Sequence, residues 1–314
     1  MDQRSRYKAY RPARSVSRTL ERPAALPSRK RSPAGGIMLV ITLCLLAGLF
    51  LWKPSTASEA LAKVTHKQEE PAQPQVPAAV DTTNIRPAID TIIAQNPSLQ
   101  IGVAYVDLNH PDTISAQGVS SQFIAASVGK LLSAVTYYHN QEQGLDSTYR
   151  DRSDEELRRL LVESDNNVWI PLNDDLGRPA MEAFARSIGM QTYAAAENTM
   201  TASDAALLLR QLYKKELLSE QHTQKLLAYM KQADRNEIFG PTIPTGVKVY
   251  HKAGWLDDRL HNVAIVDNGK NPYVIVIFSK SNIKPYNEQK GLTALRSISS
   301  TLATSFITSP KHTQ

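Results

Sequence analysis

The chain has 314 residues, of which 42% are hydrophobic and 21% charged, as is ordinary for a globular protein. Its net charge of +6 comes from residues 1–33, where ten Lys or Arg and two acidic residues give +8 and leave −2 for the remainder. The charge therefore gives no reason to expect a nucleic-acid partner. The single cysteine, Cys44, lies inside an apolar run, which excludes a cysteine nucleophile and a thiolate metal site elsewhere.

The apolar run directly follows the basic residues. Residues 35–52, "GGIMLVITLCLLAGLFLW", carry no charge, and a helix of this length spans roughly 27 Å, enough to cross a bilayer. The pattern predicts a basic cytoplasmic tail over residues 1–34 and a transmembrane helix over residues 35–52, because Lys and Arg favour the cytoplasmic side. A cleaved signal peptide is the alternative, with "STASEA" at residues 55–60 as the place for cleavage.

Beyond the apolar run, residues 53–84 contain four prolines and few large apolar side chains, which predicts a flexible linker. The folded domain is then expected over residues 85–314, on the outer side of the membrane. This length is sufficient for a substantial core without disulfides.

Within that domain, apolar periodicity predicts a helix, two strands, a block of helices, three strands and a closing helix. A capping box, Ser153 with Glu156, marks the start of one helix in the block. The remaining elements are predicted as helices near 85–93, 179–188, 203–218, 220–231 and 291–307 and as strands at 99–108, 112–118, 247–255, 261–267 and 272–279. This order predicts an α+β fold: an antiparallel sheet flanked by N- and C-terminal helices, plus a helical subdomain.

One stretch of the domain has the pattern of an activated nucleophile. In "FIAASVGKLL", Ser127 stands three residues before Lys130, so on a helix the hydroxyl and the amine share one face. The same spacing recurs at Ser5 and at Ser281, where no other feature suggests catalysis. The spacing alone is therefore weak, and Ser127 needs support from elsewhere in the chain.

Two further stretches supply that support. "ESDNNVW" places Ser164, Asp165 and Asn166 in a turn after an amphipathic helix, and "YHKAGW" places Lys252 and Gly254 on a predicted strand. A Ser-x-x-Lys helix start, a Ser-Asp-Asn turn and a Lys-x-Gly strand, in this order, resemble the motifs of class A β-lactamases and penicillin-binding proteins. The resemblance covers roughly residues 85–314 and includes residues 243–280, which resemble the last three strands of that family.

The resemblance implies roles for these residues. Ser127 would be the nucleophile, Lys130 its base when burial makes the amine neutral, and Ser164 a proton shuttle held by Lys252. Asn166 and Gly254 would bind the substrate, and the backbone N–H groups of Ser127 and Trp255 would form the oxyanion hole. No metal and no cofactor are expected, since no His/Glu cluster has the spacing of metal ligands. Asp165 is expected to hold the turn, and the nearby histidines, His251 and His261, are interpreted as structural.

Three departures from the family pattern qualify the function. The stretch "GMQTYAAAENTMTASD" lacks the Glu-x-x-Leu-Asn segment that carries the family's deacylating glutamate; Glu197 is its sole acid before Asp204. Ala253 replaces a hydroxyl residue that binds substrate carboxylates in the family, with Arg259 as a candidate replacement cation. Only 37 positions separate Ser127 from Ser164, which predicts a more open cleft.

The resulting hypothesis is a membrane-anchored bacterial serine hydrolase that is acylated at Ser127 by a β-lactam or a related amide or ester and deacylates slowly. A peptidoglycan-like amide is the other substrate class considered. One alternative is a D-Ala-D-Ala-type peptidase or esterase. The other is a non-catalytic cell-envelope module that keeps the fold and only binds. Against it stands the joint retention of six motif residues: Ser127, Lys130, Ser164, Asn166, Lys252 and Gly254.

Overall fold

The computed structural model describes residues 76–145 and 150–311. The predicted basic tail, the predicted transmembrane helix and the linker up to residue 75 lie outside the described residues. Within the described ranges, no helix combines the length and the apolar character that crossing a bilayer requires.

The described residues form eight α-helices and seven strands. The helices are α1 (Ile85–Ala94), α2 (Gly129–Glu142), α3 (Asp154–Leu161), α4 (Asn166–Leu176), α5 (Arg178–Ser187), α6 (Ala202–Tyr213), α7 (Glu220–Lys231) and α8 (Glu288–Ala303). The strands are β1 (Leu99–Asp107), β2 (Ser115–Gly118), β3 (Phe123–Ile124), β4 (Thr199–Met200), β5 (Lys248–Leu256), β6 (Arg259–Asp267) and β7 (Tyr273–Ser281).

Five of the strands form one antiparallel sheet in the order β2-β1-β7-β6-β5. β5 is therefore an edge strand, and its register places Gly254 opposite His261 on β6. The short strands β3 and β4 pair separately, next to the turn that carries Ser127. The predicted α+β fold with an antiparallel sheet is confirmed.

Both faces of the sheet are buried, which explains why β7 reads as a continuous apolar run. Side chains alternate across a strand, so neighbouring residues of β7 enter different cores. Val274, Val276 and Phe278 pack with the helical block. Tyr273, Ile275 and Ile277 pack with α1 and α8 on the other face.

The two ends of the domain meet. The backbone N–H of Asp81 donates to the carbonyl of Lys311 at 2.6 Å, and Val80 is buried in the core with α1 and α8. The domain thus includes residues just ahead of the predicted boundary at residue 85. The N- and C-terminal helices cover one face of the sheet, as the sequence predicts.

The helical block differs from prediction in its details. The capping box is present: the Ser153 hydroxyl accepts from the N–H of Glu156, and the Glu156 carboxylate accepts from the N–H of Ser153. α4 continues through Pro171, although its pattern did not predict a helix. α6 ends at Tyr213 instead of residue 218, because Lys215 adopts a left-handed conformation with φ of 61°.

Candidate active site

Ser127 and Lys130 lie where the chain enters α2. A 3-10 turn at Ala126–Val128 carries Ser127, and Lys130 occupies the first turn of the helix. Lys130 Nζ lies 2.9 Å from Ser127 Oγ. The three-residue spacing therefore brings the hydroxyl and the amine together, as predicted for these two atoms.

Ser164 lies in the turn between α3 and α4. The turn is held by Asp165, whose carboxylate accepts from the N–H of Asn167 at 2.7 Å and pairs with Arg159. Ser164 itself adopts a left-handed conformation with φ of 59°. Such a conformation costs about 1–2 kcal/mol in a residue with a side chain, so the turn must be held by its surroundings.

Lys252 approaches Ser164 from the opposite side. It lies in the middle of β5, and its Nζ lies 3.0 Å from Ser164 Oγ. Lys130 Nζ lies 3.2 Å from the same oxygen. The three sequence motifs, far apart along the chain, therefore meet in one network around the Ser164 hydroxyl.

The neighbours of Lys130 can accommodate its neutral form. The carbonyl oxygens of Ser164 and of the Asn166 side chain each lie 2.7 Å from Nζ and can only accept hydrogen bonds. They use the two N–H groups that a neutral amine possesses. Its lone pair is then available to the Ser127 hydroxyl, which is what a general base requires.

Burial also changes the protonation of both lysines. The side chain of Lys130 is 1% exposed and that of Lys252 is 2% exposed. Burial lowers the pKa of Lys130 to about 6, helped by the positive charge of Lys252 and opposed by Asp165. Burial likewise lowers the pKa of Lys252 to about 7, opposed by Asp234. Both amines can thus exchange protons near neutral pH.

Gly254 allows β5 to approach the turn that carries Ser127. A Cβ at this position would lie 2.8 Å from the carbonyl oxygen of Ala125 and 3.2 Å from the backbone nitrogen of Val128. No other residue fits without moving backbone. The next residue, Trp255, is partly buried, and the guanidinium of Arg235 lies 4.4 Å from its ring centroid.

Two residues named in the sequence analysis, Glu197 and Arg259, form no hydrogen bond with Ser127, Lys130, Ser164 or Lys252. Glu197 is exposed and forms no hydrogen bond or ion pair with any described residue. The guanidinium of Arg259 donates to both carboxylate oxygens of Asp258, at 2.6 and 3.0 Å. Among the described residues, no carboxylate hydrogen-bonds Ser127 or Lys130.

Two contacts at the site were missed from the sequence. The indole of Trp169 lies 5.1 Å from Lys130 Nζ and donates to Ser133 Oγ at 3.0 Å. Asn198 contacts the other side of the Ser127 turn, where its Nδ2 donates to the carbonyl of Ala126 at 2.9 Å. Trp169 lies five residues beyond Ser164 and belongs to α4. A helix predicted after "SDN" could have indicated that this indole lies near the site.

The site is built of amines, hydroxyls and amides, which suit acyl transfer. Within residues 76–145 and 150–311, no group of three or more His, Cys, Asp or Glu side chains is placed to hold a metal ion. His251 and His261 are both buried and each bonds a backbone carbonyl, of Ala233 and of Ile124. Burial lowers the pKa of each histidine to about 4.

A sequence comparison relates part of the chain to a known family. The model of the Beta-lactamase enzyme family matches residues 153–306, a range that includes Ser164 and Lys252 and begins after Ser127. No curated protein matches the chain by sequence.

Solved structures share the fold. PBP-A is 20% identical and superposes with a TM-score of 0.64, covering 74% of this chain and 99% of its own. A penicillin G acyl-enzyme complex of a PBP-A variant has a TM-score of 0.63, with 20% identity and coverage of 71% and 96%. A β-lactamase from Chitinophaga pinensis is 19% identical, with a TM-score of 0.64 and coverage of 71% and 99%. The family match and the shared fold together support a class A β-lactamase-like serine hydrolase.

Proposed function

We propose that the protein forms an acyl-enzyme at Ser127 with a β-lactam or a related amide or ester. The observation that carries this proposal is the closed network in which Lys130 Nζ contacts Ser127 Oγ and the Ser164 hydroxyl joins both lysines. A serine hydroxyl attacks only when a neighbour takes its proton, and the neutral amine of Lys130 lies at hydrogen-bond distance.

The acylation step can be written with these groups alone. Ser127 Oγ forms a bond to the substrate carbonyl carbon while its proton moves to Lys130 Nζ. The C–N or C–O bond of the substrate then breaks, and the leaving atom takes a proton from Ser164 Oγ. Ser164 then regains a proton from Lys130 Nζ, which lies 3.2 Å from its hydroxyl oxygen. The proton that left Ser127 thus ends on the leaving group, and Ser164 and both lysines return to their original protonation states.

Substrate binding is assigned to the remaining motif residues. The backbone N–H groups of Ser127 and Trp255 would donate to the oxyanion, in the manner that commonly supplies several kcal/mol of transition-state stabilisation. Asn166 would orient the substrate amide through its side-chain nitrogen, and Gly254 would let the substrate lie along β5. Lys252 would hold Ser164 and contribute positive charge.

Slow deacylation follows from what surrounds the nucleophile. Water attacks the acyl-enzyme only when a base activates it, and no carboxylate of the described residues hydrogen-bonds Ser127 or Lys130. The ring of Trp169 lies beside Lys130 instead. We therefore favour stable acylation, like that of a penicillin-binding protein, over efficient β-lactam hydrolysis.

The non-catalytic alternative receives less support. A module that only binds has no need to hold two buried lysines on one serine hydroxyl, because burying amines without a chemical role costs stability. For a D-Ala-D-Ala-type peptidase, Ala253 lacks the hydroxyl that would bind the terminal carboxylate. A penicillin carboxylate loses the same contact, so Ala253 does not distinguish these two substrate classes.

We extend the proposal to location: a bacterial cell membrane, with a single helix at residues 35–52, the N-terminus in the cytoplasm and the hydrolase domain outside. The support is the uncharged apolar run preceded by ten basic residues. The folded domain would then meet substrates of the cell envelope, such as peptidoglycan-like amides.

The test of the function is intact-mass spectrometry of the full-length chain after incubation with a penicillin. We expect one added penicillin per chain, and we expect the adduct to outlast removal of free penicillin by hours. Rapid return to the unmodified mass would contradict slow deacylation and indicate a β-lactamase. No adduct at any concentration would reject acylation by β-lactams.

Ala253→Ser should strengthen the initial binding of a penicillin. A hydroxyl at this strand position would donate to the substrate carboxylate, and hydrogen bonds to charged groups contribute about 1.5–3 kcal/mol. Binding before acylation should therefore tighten about tenfold or more, since 1.4 kcal/mol is a factor of ten. The concentration dependence of the acylation rate measures this constant.

The control for Ala253→Ser is the same penicillin with its carboxylate esterified, which should bind both proteins equally. Equal gains for acid and ester would show that the hydroxyl acts in another way. No gain for the acid would place the carboxylate away from residue 253.

A further inference from the structure

His261 lies beside the turn that carries Ser127, with both ring nitrogens in use. Its Nε2 lies 2.9 Å from the carbonyl oxygen of Ile124, which ends β3. Its Nδ1 accepts from the backbone N–H of Ser279 on β7, at 3.0 Å. The imidazole thus joins the centre of the main sheet to the chain three residues before Ser127.

These two bonds fix the tautomer. A backbone N–H only donates, so Nδ1 must accept and carry no proton. The proton is then on Nε2, which donates to the carbonyl of Ile124. Protonation of Nδ1 would turn this acceptor into a second donor facing the N–H of Ser279, and burial lowers the pKa of His261 to about 4. The ring therefore remains neutral in the range where the hydrolase would work.

The ring is also held on its faces and edges. It is fully buried, with a T-shaped contact to Phe123 at 5.8 Å between centroids and a tilted contact to Phe278 at 4.7 Å. Rotation of the imidazole would break both hydrogen bonds and these contacts together. Its Nε2 is therefore a fixed anchor for the carbonyl of Ile124.

The anchored turn is one that needs support. Ala126, directly before Ser127, adopts φ of 51°, a left-handed conformation that costs about 1–2 kcal/mol for a residue with a Cβ. The carbonyl before the turn is held by His261, and that of Ala126 is held by Asn198. The backbone N–H of Ala125 also donates to the carbonyl of Asn198, at 2.7 Å.

His261 also lies next to β5, the strand that carries Trp255 and therefore the second N–H group of the proposed oxyanion hole. It lies opposite Gly254 in the register of β5 and β6, one residue from Trp255. Gly254 lets β5 approach the Ser127 turn, because a Cβ would contact the carbonyl of Ala125 at 2.8 Å. The close approach is thus permitted by Gly254 and fixed by the hydrogen bond of His261.

We propose that His261 is a positioning residue for acylation: its imidazole holds the Ser127 turn against β5, so that the N–H groups of Ser127 and Trp255 stay at one distance from the oxyanion. This inference rests on the proposed function. A loss of alignment in an oxyanion hole typically costs about 10²-fold in rate, and an ångström of displacement has a similar effect.

Two substitutions separate the two hydrogen bonds of His261. In His261→Gln, the side-chain nitrogen can occupy the place of Nε2 and donate to Ile124, while the acceptor for Ser279 is lost. In His261→Asn, the side-chain oxygen can occupy the place of Nδ1 and accept from Ser279, while the bond to Ile124 is lost. Each variant therefore loses one buried hydrogen bond, so their melting temperatures should fall by similar amounts.

The acylation rates of the two variants should differ. With a penicillin and the full-length chain, His261→Asn should be acylated about 10–100-fold more slowly than the wild type, with the binding constant before acylation unchanged. His261→Gln should restore the rate to within about threefold of the wild type, since it keeps the bond to Ile124. Equal rates in the two variants, at equal melting temperatures, would overturn the proposal.

A second measurement decides the inference without acylation. Hydrogen–deuterium exchange of the substrate-free full-length chain reports on the peptide that contains residues 123–129. This peptide should exchange faster in His261→Asn than in His261→Gln, whereas peptides of α8 should exchange alike. Equal exchange at residues 123–129 would reject the anchor, even if penicillin acylates the protein. Failure of the wild type to react with penicillin would instead reject the proposed substrate and leave this comparison valid.

Discussion

Ser127→Ala is expected to abolish the penicillin adduct completely, whatever the concentration or time of incubation. The substitution removes the atom that would form the acyl bond. It disturbs little else, because the one hydrogen bond of Ser127 Oγ among the described residues is with Lys130 Nζ. The fold should therefore persist, with a melting temperature close to that of the wild type. Intact-mass spectrometry of both proteins beside each other is the measurement.

A matched control is Ser297→Ala. Ser297 lies on α8, where its hydroxyl donates to the carbonyl of Thr293, on the face of the sheet away from the network. This variant should take up one penicillin at the wild-type rate. An adduct that forms on Ser127→Ala would show that another residue is acylated and that the assignment of the nucleophile is wrong.

Lys130→Met is expected to lower the acylation rate about 10²–10⁴-fold, the usual contribution of a general base. Methionine keeps an unbranched side chain of similar length and removes the amine that would take the Ser127 proton. The carbonyl of Ser164 and the side-chain oxygen of Asn166 would lose their donor, so a loss of stability of about 1–3 kcal/mol for each is offset by the removal of a buried amine. The rate of adduct formation and a thermal melt measure the two effects.

The pH dependence of the wild type tests the same role. A base acts in its unprotonated form, and burial lowers the pKa of Lys130 to about 6. The acylation rate should therefore rise as the pH passes upward through about 6, and should fall about tenfold per pH unit below it. In Lys130→Met this acidic limb should be absent. An unchanged limb in the variant would assign the titration to another group.

Thr136→Val serves as the control for a buried polar change on the same helix. Its hydroxyl donates only to the carbonyl of Leu132 among the described contacts, and valine keeps its shape. Acylation should keep its wild-type rate and pH profile in this variant. A large loss of rate there would mean that any disturbance of α2 impairs the site.

Much of the fold could be predicted because its signals are local. The apolar run of β7, the periodicity of α1 and the Ser153 capping box depend on neighbouring residues and were confirmed. The short strands β3 and β4 were missed, since two residues give no pattern and form only by pairing with each other. α4 was missed because Pro171 normally disfavours a helix interior by about 3 kcal/mol. Burial of Val168, Leu172 and Leu176 outweighs that cost.

The sequence by itself determined which chemical groups are present and in what order. The spacing of Ser127 and Lys130 placed them on one helix face, because the helical repeat acts over three or four residues. The tertiary structure decided everything that depends on distant residues. It brought Lys252 to a serine 88 positions away, buried both lysines and so lowered their pKa values, and set His261 against the Ser127 turn. Burial and electrostatic coupling are properties of the packed chain, and local sequence does not specify them.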